Sequence, residues 1–459
     1  MNVYFTKRVL DFPLDSNHVL LINTISSAMD IVDKSTYAII NKMATEDIVI
    51  DPQLLQDLKQ RGYVFDNEES EIKQIEKCSK IYQKIQEKTF VKNYTICPTM
   101  GCNLRCVYCF EGDENHCNHE LMSVEKLDAI LKYIANEVER AEQQNMSTEV
   151  TISLYGGEPL LPQNKEIVKK TLEFAHKKNI EVRIITNGTT IDYYLQLLKK
   201  HSKTTIQITL DGDKSIHDKR RITANKKGTF DDIVTGIDKL VQSGLKVHLR
   251  TNADAENLSF IPNLIQFIRE KGWIETGLVF PYIAPVFDYC SGSDNSMPES
   301  YLYYKLLKIE PDVGSDTAVI KRISSPCLNF LQSFFNETNE IKPWKMSYCE
   351  ATSGKNLVFS PDGNIFTCLM LAGKSKYQIG YFDEHGIKIS SEQAKLWNER
   401  DILRLPKCKI CKFAMFCGGG CPVAALNINS DIDCPVCSDI ENTMKVYIES
   451  KKEEILKGL

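Results

Sequence analysis

From about residue 91 the chain repeats one pattern six times, an apolar run followed by an amphipathic stretch. The apolar runs are "NYTICPT", "VTISLYGG", "EVRIITNG", "TIQITLDG", "KVHLRTN" and "GLVFPYIAPV". Between them lie stretches such as "SVEKLDAILKYIANEVERA", "NKEIVKKTLEFAHKK" and "TFDDIVTGIDKLVQSG". Strand and helix periodicities in alternation commit a chain to an α/β fold, a parallel sheet with helical crossovers. Ligands in that architecture sit at the carboxyl ends of the strands. A thiol-rich loop after the first strand, "GGEP" after the second, "TNG" after the third and "LDG" after the fourth all fall there.

The thiols are the next constraint. The 459 residues include 16 cysteines, with a net charge of -5 and 42% hydrophobic residues. The N-terminus lacks a charged-then-apolar signal peptide, and no apolar run is long enough to span a membrane, so the expected compartment is the cytoplasm. Close-set thiols there read as metal ligands or redox groups rather than disulfides. The modest negative charge offers no electrostatic basis for nucleic-acid or membrane partners.

In "ICPTMGCNLRCVYCFEG", Cys102, Cys106 and Cys109 are spaced C-x3-C-x2-C, and Phe110 follows the last. Three thiolates from one loop leave a four-thiolate zinc or iron–sulfur site incomplete. They suit three irons of a [4Fe–4S] cube whose fourth iron stays open; the alternative is a zinc site or occasionally oxidised thiols. The spacing, the adjacent aromatic and the later "GGEPL" resemble the radical S-adenosylmethionine (SAM) superfamily. That resemblance implies a partial (β/α)6 TIM barrel in which SAM is cleaved reductively. The products are methionine and a 5′-deoxyadenosyl radical that abstracts a hydrogen atom. It implies that Gly156, Gly157 and Glu158 receive the methionine amino group. Thr186, Asn187, Thr209 and Arg221 would contact the SAM ribose and carboxylate, against the alternative of plain strand-end turn chemistry. His217 reads as a structural hydrogen bonder, and Cys97 and Cys78 as core thiols.

Cys408, Cys411, Cys417 and Cys421 follow C-x2-C-x5-C-x3-C; upstream, Cys349, Gly363 and Cys368 follow C-x13-G-x4-C. This resembles the SPASM extension of the same superfamily, which holds two auxiliary [4Fe–4S] clusters, three clusters in all. A zinc ribbon would leave several of these thiols unused. Carried over, Cys349, Cys368 and Cys421 hold the inner cluster, and Cys408, Cys411 and Cys417 the outer one. Cys434 or Cys437 in "DCPVC" closes the outer set. For the inner set, either Cys327, 22 residues before Cys349, folds back as a fourth ligand, or one iron is open to a substrate thiolate.

In front, "HVLLINTISSAMDIV" reads as two strands, and "STYAIINKM" and "PQLLQDLKQRGYVFD" as helices, the second ending at Gly62 and leading into a strand. The pattern is winged-helix-like, and "LLQDLKQRG" is too sparse in charge for DNA. Before a radical SAM–SPASM pair, such a unit resembles the leader-recognition element of enzymes that mature ribosomally made peptides; a packing domain for the barrel is the alternative. The expected division is 1–90 for recognition unit and helical connector, 91–310 for the barrel, 311–345 for a linker and 346–459 for SPASM. The expected function is a radical SAM peptide maturase installing a crosslink, favouring a cysteine thioether. Its partners would be a leader-bearing precursor peptide and a flavodoxin- or ferredoxin-type reductant. The runner-up is formylglycine formation of the anaerobic sulfatase-maturase kind. A non-catalytic iron–sulfur electron-transfer protein is the alternative from another class.

Overall fold

Alternating burial along "VLDFP" and the apolar run "HVLLIN" shape the first sheet. The computed structural model describes residues 4–43, 50–112, 120–201, 203–287, 296–335 and 344–457. β1 (Tyr4–Phe5) pairs antiparallel with β5 (Val64–Phe65). β2 (Val9–Pro13), β3 (His18–Asn23) and β4 (Met29–Asp33) form an antiparallel sheet in that order, so β2 and β4 each have one partner among the described residues. Helices Lys34–Met43 and Pro52–Gln60 follow. The second starts on Asp51, whose carboxylate accepts from the Gln53 and Leu54 amides at 3.0 Å, and stops before Gly62 at φ +78°, as N-cap and left-handed glycine dictate. Val19, Leu21, Ile40, Leu58 and Tyr63 make the local core.

Helix Glu68–Lys88 carries Ile75 and Cys78 into a second core with Met346, Leu405 and Met415. The front and the cysteine-rich tail therefore share one compact unit, made of Met1–Glu87, Pro326–Cys349 and Arg400–Leu459. Buried Arg8 donates to the carbonyls of Cys411 (2.5 Å) and Lys409, and Thr24 Oγ1 donates to Lys412 O at 3.0 Å. This departs from the expected separate domains at 1–90 and 346–459.

The second unit comprises Lys88–Ser325 and Glu350–Glu399. Its six expected strands are β6 (Thr89–Ile96), β8 (Ser147–Leu154), β9 (Glu181–Thr186), β10 (Thr204–Thr209), β12 (Lys246–Ala253) and β13 (Val279–Pro285). They run parallel in sequence order. Two short strands stand apart: β7 (Leu104–Cys106) pairs antiparallel with β11 (Arg221–Thr223). The crossover helix Val124–Gln143 shows why the pattern works. Ser123 caps it through the Lys126 amide at 3.2 Å, and Leu127, Ile130, Leu131 and Ile134 repeat at i, i+3, i+4 and i+7 on its buried face. Full burial of each such side chain contributes roughly 1.5–3 kcal/mol.

The sheet extends beyond the six strands. β14 (Arg322–Ile323) adds parallel to β13, inside the stretch expected as linker, and helix Pro326–Phe335 follows it. At the other edge β15 (Asn356–Phe359) lies parallel to β6, followed antiparallel by β16 (Asn364–Phe366), β17 (Gly380–Asp383) and β18 (Gly386–Ile389). The hairpin at "PDG" forms as the sequence suggests, but it completes the barrel sheet, making eleven strands.

Candidate active site

The cysteine loop leaves β6 at Ile96. Cys97 is fully buried, and its amide donates to Phe359 O at 2.9 Å. β7 then places Cys106 opposite Arg221 of β11, and the Cys109 amide closes a turn onto Cys106 O at 3.1 Å. All three loop thiols are half-buried. Burial raises each thiol, Cys109 to about 12, while the Arg221 charge pulls Cys106 the other way.

"GGE" joins this loop by backbone. The Gly157 amide donates to Thr99 O at 3.1 Å and the Glu158 amide to Gly101 O at 3.0 Å. A Cβ on Gly157 would lie 2.3 Å from the Met100 and Gly101 carbonyl oxygens, so only glycine lets the β8 end reach the loop. The Glu158 side chain, 0% exposed, faces inward. It accepts from Thr186 Oγ1 and the Asn187 amide at 2.6 Å and from the Leu160 amide at 2.8 Å. Burial raises its pKa against those three donors. Its carboxylate thus ties the ends of β8 and β9 together, and the glycine backbone is the part of the motif that meets the cysteine loop.

Asn187 continues the chain outward. Its Nδ2 donates to Asn103 Oδ1 at 2.8 Å and lies 3.9 Å from Cys102 Sγ. Thr209 is buried at the end of β10. Arg221 Nη1 donates to Tyr108 Oη at 2.7 Å, and its buried Nε has no hydrogen-bond partner among the described residues. Cys102, Glu158, Thr186 and Asn187 are thus brought together, as are Cys106 and Arg221. His217, 0% exposed, accepts from the Asp211 amide at 3.3 Å and reaches Thr229 Oγ1 at 3.1 Å. Burial, then Arg221 and Arg220, push it down to about 3, so it stays neutral.

The sequence reading passed over Tyr108. Its hydroxyl donates to Asp211 and accepts from Arg221 and from Asn252 Nδ2 at 3.0 Å. The Arg220 guanidinium lies 5.0 Å from its ring centroid and forms a bidentate pair with Asp254 at 2.7 and 2.9 Å. The one available signal was an aromatic between Cys106 and Cys109. Glu111 was also missed. Its Oε1 is enclosed without a hydrogen-bond partner among the described residues, and burial, then Glu158, push its carboxyl up to about 8.

In the first unit, fully buried Arg400 donates to Ile432 O (2.7 Å), Gly420 O and Gly419 O (both 3.0 Å). Its charge is felt by Cys349, Cys408 and Cys421. Gly418, Gly419 and Gly420 all take positive φ, at +76°, +93° and +70°. Cys349 and Cys421 belong to this unit, whereas Cys368 belongs to the other. Cys327 lies on helix Pro326–Phe335, its thiol donating to Ser438 Oγ at 3.6 Å.

Among the described residues no three Cys, His, Asp or Glu side chains converge on a single-ion centre. A zinc-sized site is therefore absent from them. Three half-buried loop thiols, joined by close backbone contacts to a glycine turn, fit a larger group such as an iron–sulfur cube, whose iron would make buried thiolates tolerable.

Residues 96–268 match the family model described as the radical SAM superfamily. A cysteine-type anaerobic sulfatase-maturating enzyme of Clostridium novyi is 28% identical over 335 residues, 70% of this chain and 85% of that protein. The solved structure of native anSMEcpe with bound AdoMet covers 80% of this chain and 98% of its own, at 18% identity and TM-score 0.60. Streptococcus suis SuiB bound to precursor peptide SuiA covers 96% of this chain and 100% of its own, at 15% identity and TM-score 0.55. The superfamily implies a [4Fe–4S] cluster and SAM. The chain carries a radical SAM domain and is an enzyme built on it.

Proposed function

We propose that this enzyme matures a ribosomally made precursor peptide by forming a crosslink, a cysteine thioether. The front sheet carries the reading. β2 and β4 each present one unpaired side among the described residues, which an extended leader can join by main-chain bonds while side-chain pockets select it. In the same unit a cavity of about 480 Å³ is lined by apolar Val9, Leu21, Ile40 and Met43 together with Asp11, Lys7 and Lys412. The fold likeness to peptide-bound SuiB spans 96% of the chain, in keeping with a front unit of shared use.

Cys102, Cys106 and Cys109 would hold the catalytic cluster, which with SAM supplies a 5′-deoxyadenosyl radical for hydrogen abstraction. The protein's part is placement. Asn187 orients the Cys102 side of the loop, the β7–β11 pair fixes Cys106, and Tyr108 locks the turn to the ends of β10 and β12. Glu158, with its three donors, holds the glycine turn where backbone groups can meet the SAM methionine. The auxiliary clusters of the proposal would take Cys349, Cys368 and Cys421, and Cys408, Cys411 and Cys417. A flavodoxin- or ferredoxin-type protein would deliver the electron.

The full chain, reconstituted anaerobically and given SAM, reductant and cysteine-containing precursor peptides, tests this. The expected result is 5′-deoxyadenosine together with a peptide lighter by one hydrogen pair per ring and retaining its sulfur. The relationship to the Clostridium novyi enzyme favours a second reading, formylglycine formation, which would remove the cysteine sulfur. A peptide left unchanged while 5′-deoxyadenosine accumulates for all cysteine peptides would overturn the thioether assignment.

A further inference from the structure

We infer that Cys437, and not Cys434, completes the thiol set of Cys408, Cys411 and Cys417, with Ser438 hydrogen-bonded to the Cys417 sulfur behind it. This rests on the auxiliary-cluster part of the proposal above. Both cysteines are exposed, so exposure does not separate them; their neighbours do.

Cys434 is tied into a local turn. Its amide donates to Asp431 O at 3.3 Å, and its carbonyl accepts from Asn429 Nδ2 at 2.8 Å. The residues on either side of Cys437 instead press on the thiol loop. Val436 O lies so near Gly420 that a Cβ there would be 2.1 Å away. Ser438 Oγ is 3.3 Å from Cys417 Sγ. A residue held from both sides against Gly420 and Cys417 has its thiol confined to their neighbourhood.

Ser438 adds a second observation. Its Oγ accepts from the Cys327 thiol at 3.6 Å, leaving the hydroxyl proton for Cys417. Once Cys417 is a thiolate it can only accept, so the order is Cys327 to Ser438 to Cys417 sulfur. Cys327 thereby takes a place behind the outer set instead of serving as fourth ligand of the inner one. Hydrogen bonds to cluster sulfur raise the reduction potential.

The test uses full-length protein reconstituted anaerobically with iron and sulfide, with iron counted per chain and each reduced sample examined by electron paramagnetic resonance. The SAM-sensitive signal of the first cluster serves as the folding control. Cys437→Ala should lose about four irons per chain and keep that signal, while Cys434→Ala keeps the wild-type count. Iron loss in Cys434→Ala, or full iron in Cys437→Ala, overturns the assignment. Ser438→Ala should keep its iron and show one cluster titrating at lower potential; an unmoved titration removes Ser438 from the scheme. Wild-type protein with the iron of a single cluster would instead refute the auxiliary-cluster reading on which this rests.

Discussion

His217 is a neutral imidazole sealed beside two guanidinium groups. Its folded-state value of about 3 against 6.5 for the free side chain means the unfolded chain binds a proton between those limits that the folded chain refuses. The stabilising effect is therefore complete above pH 6.5 and is lost as the pH falls through that window. At pH 5 the loss is on the order of 2 kcal/mol. His217→Gln should be less stable than wild type at neutral pH but lose less on acidification, in urea titrations at two pH values; equal losses would discard this account. Tyr108→Phe is a complementary case. It strips a hydroxyl from Asp211, Arg221 and Asn252 at once, and anaerobic denaturation should show a cost of about 1–3 kcal/mol. Little of this network was legible beforehand. The three-cysteine loop stood out by its spacing because residues of one loop are near neighbours in sequence. Tyr108 meets Asn252 across 144 residues, and a polar residue at a strand end looks the same whether it caps a turn or braces a cofactor loop.

Among elements, the glycine turn after β8 is the most exacting. Gly157→Ala would drive a methyl group into two carbonyl oxygens of the cysteine loop, backbone atoms that cannot swing aside. The variant should retain its secondary structure by circular dichroism, yet take up less iron at the first site and lose the spectral response to added SAM. A variant that binds iron and responds normally would show that the loop tolerates displacement. The strands and helices themselves were readable because both periodicities are local. Six strands and their crossover helices formed where the alternation placed them, and the second front helix ended before Gly62 as its sequence suggested. The pairing of β15 with β6 had no such signature. It joins residues more than 260 apart, and the short apolar run "NLVF" suits a hairpin in a small cysteine-rich domain equally well.

For the whole molecule, that pairing couples β15 of the C-terminal half to the strand that leads into the cysteine loop. Phe359 of β15 stands opposite Ile96 and receives the Cys97 amide. Val358→Pro would break the ladder at a fully buried position and should weaken the first cluster's response to SAM, although no ligand is altered. Val358→Ala, which thins the packing but keeps the amide, should preserve the response; identical behaviour of the two would deny the coupling. The path of the chain has a further consequence. It crosses from one unit to the other four times, with Arg400–Leu459 rejoining what Met1–Glu87 began. A ribosome delivers the amino terminus first, so the helix bearing Cys78 must wait for Leu405 and Met415 before its apolar face is covered. Closure of that core is thereby postponed until residues 400–459 have been made, long after the helix itself.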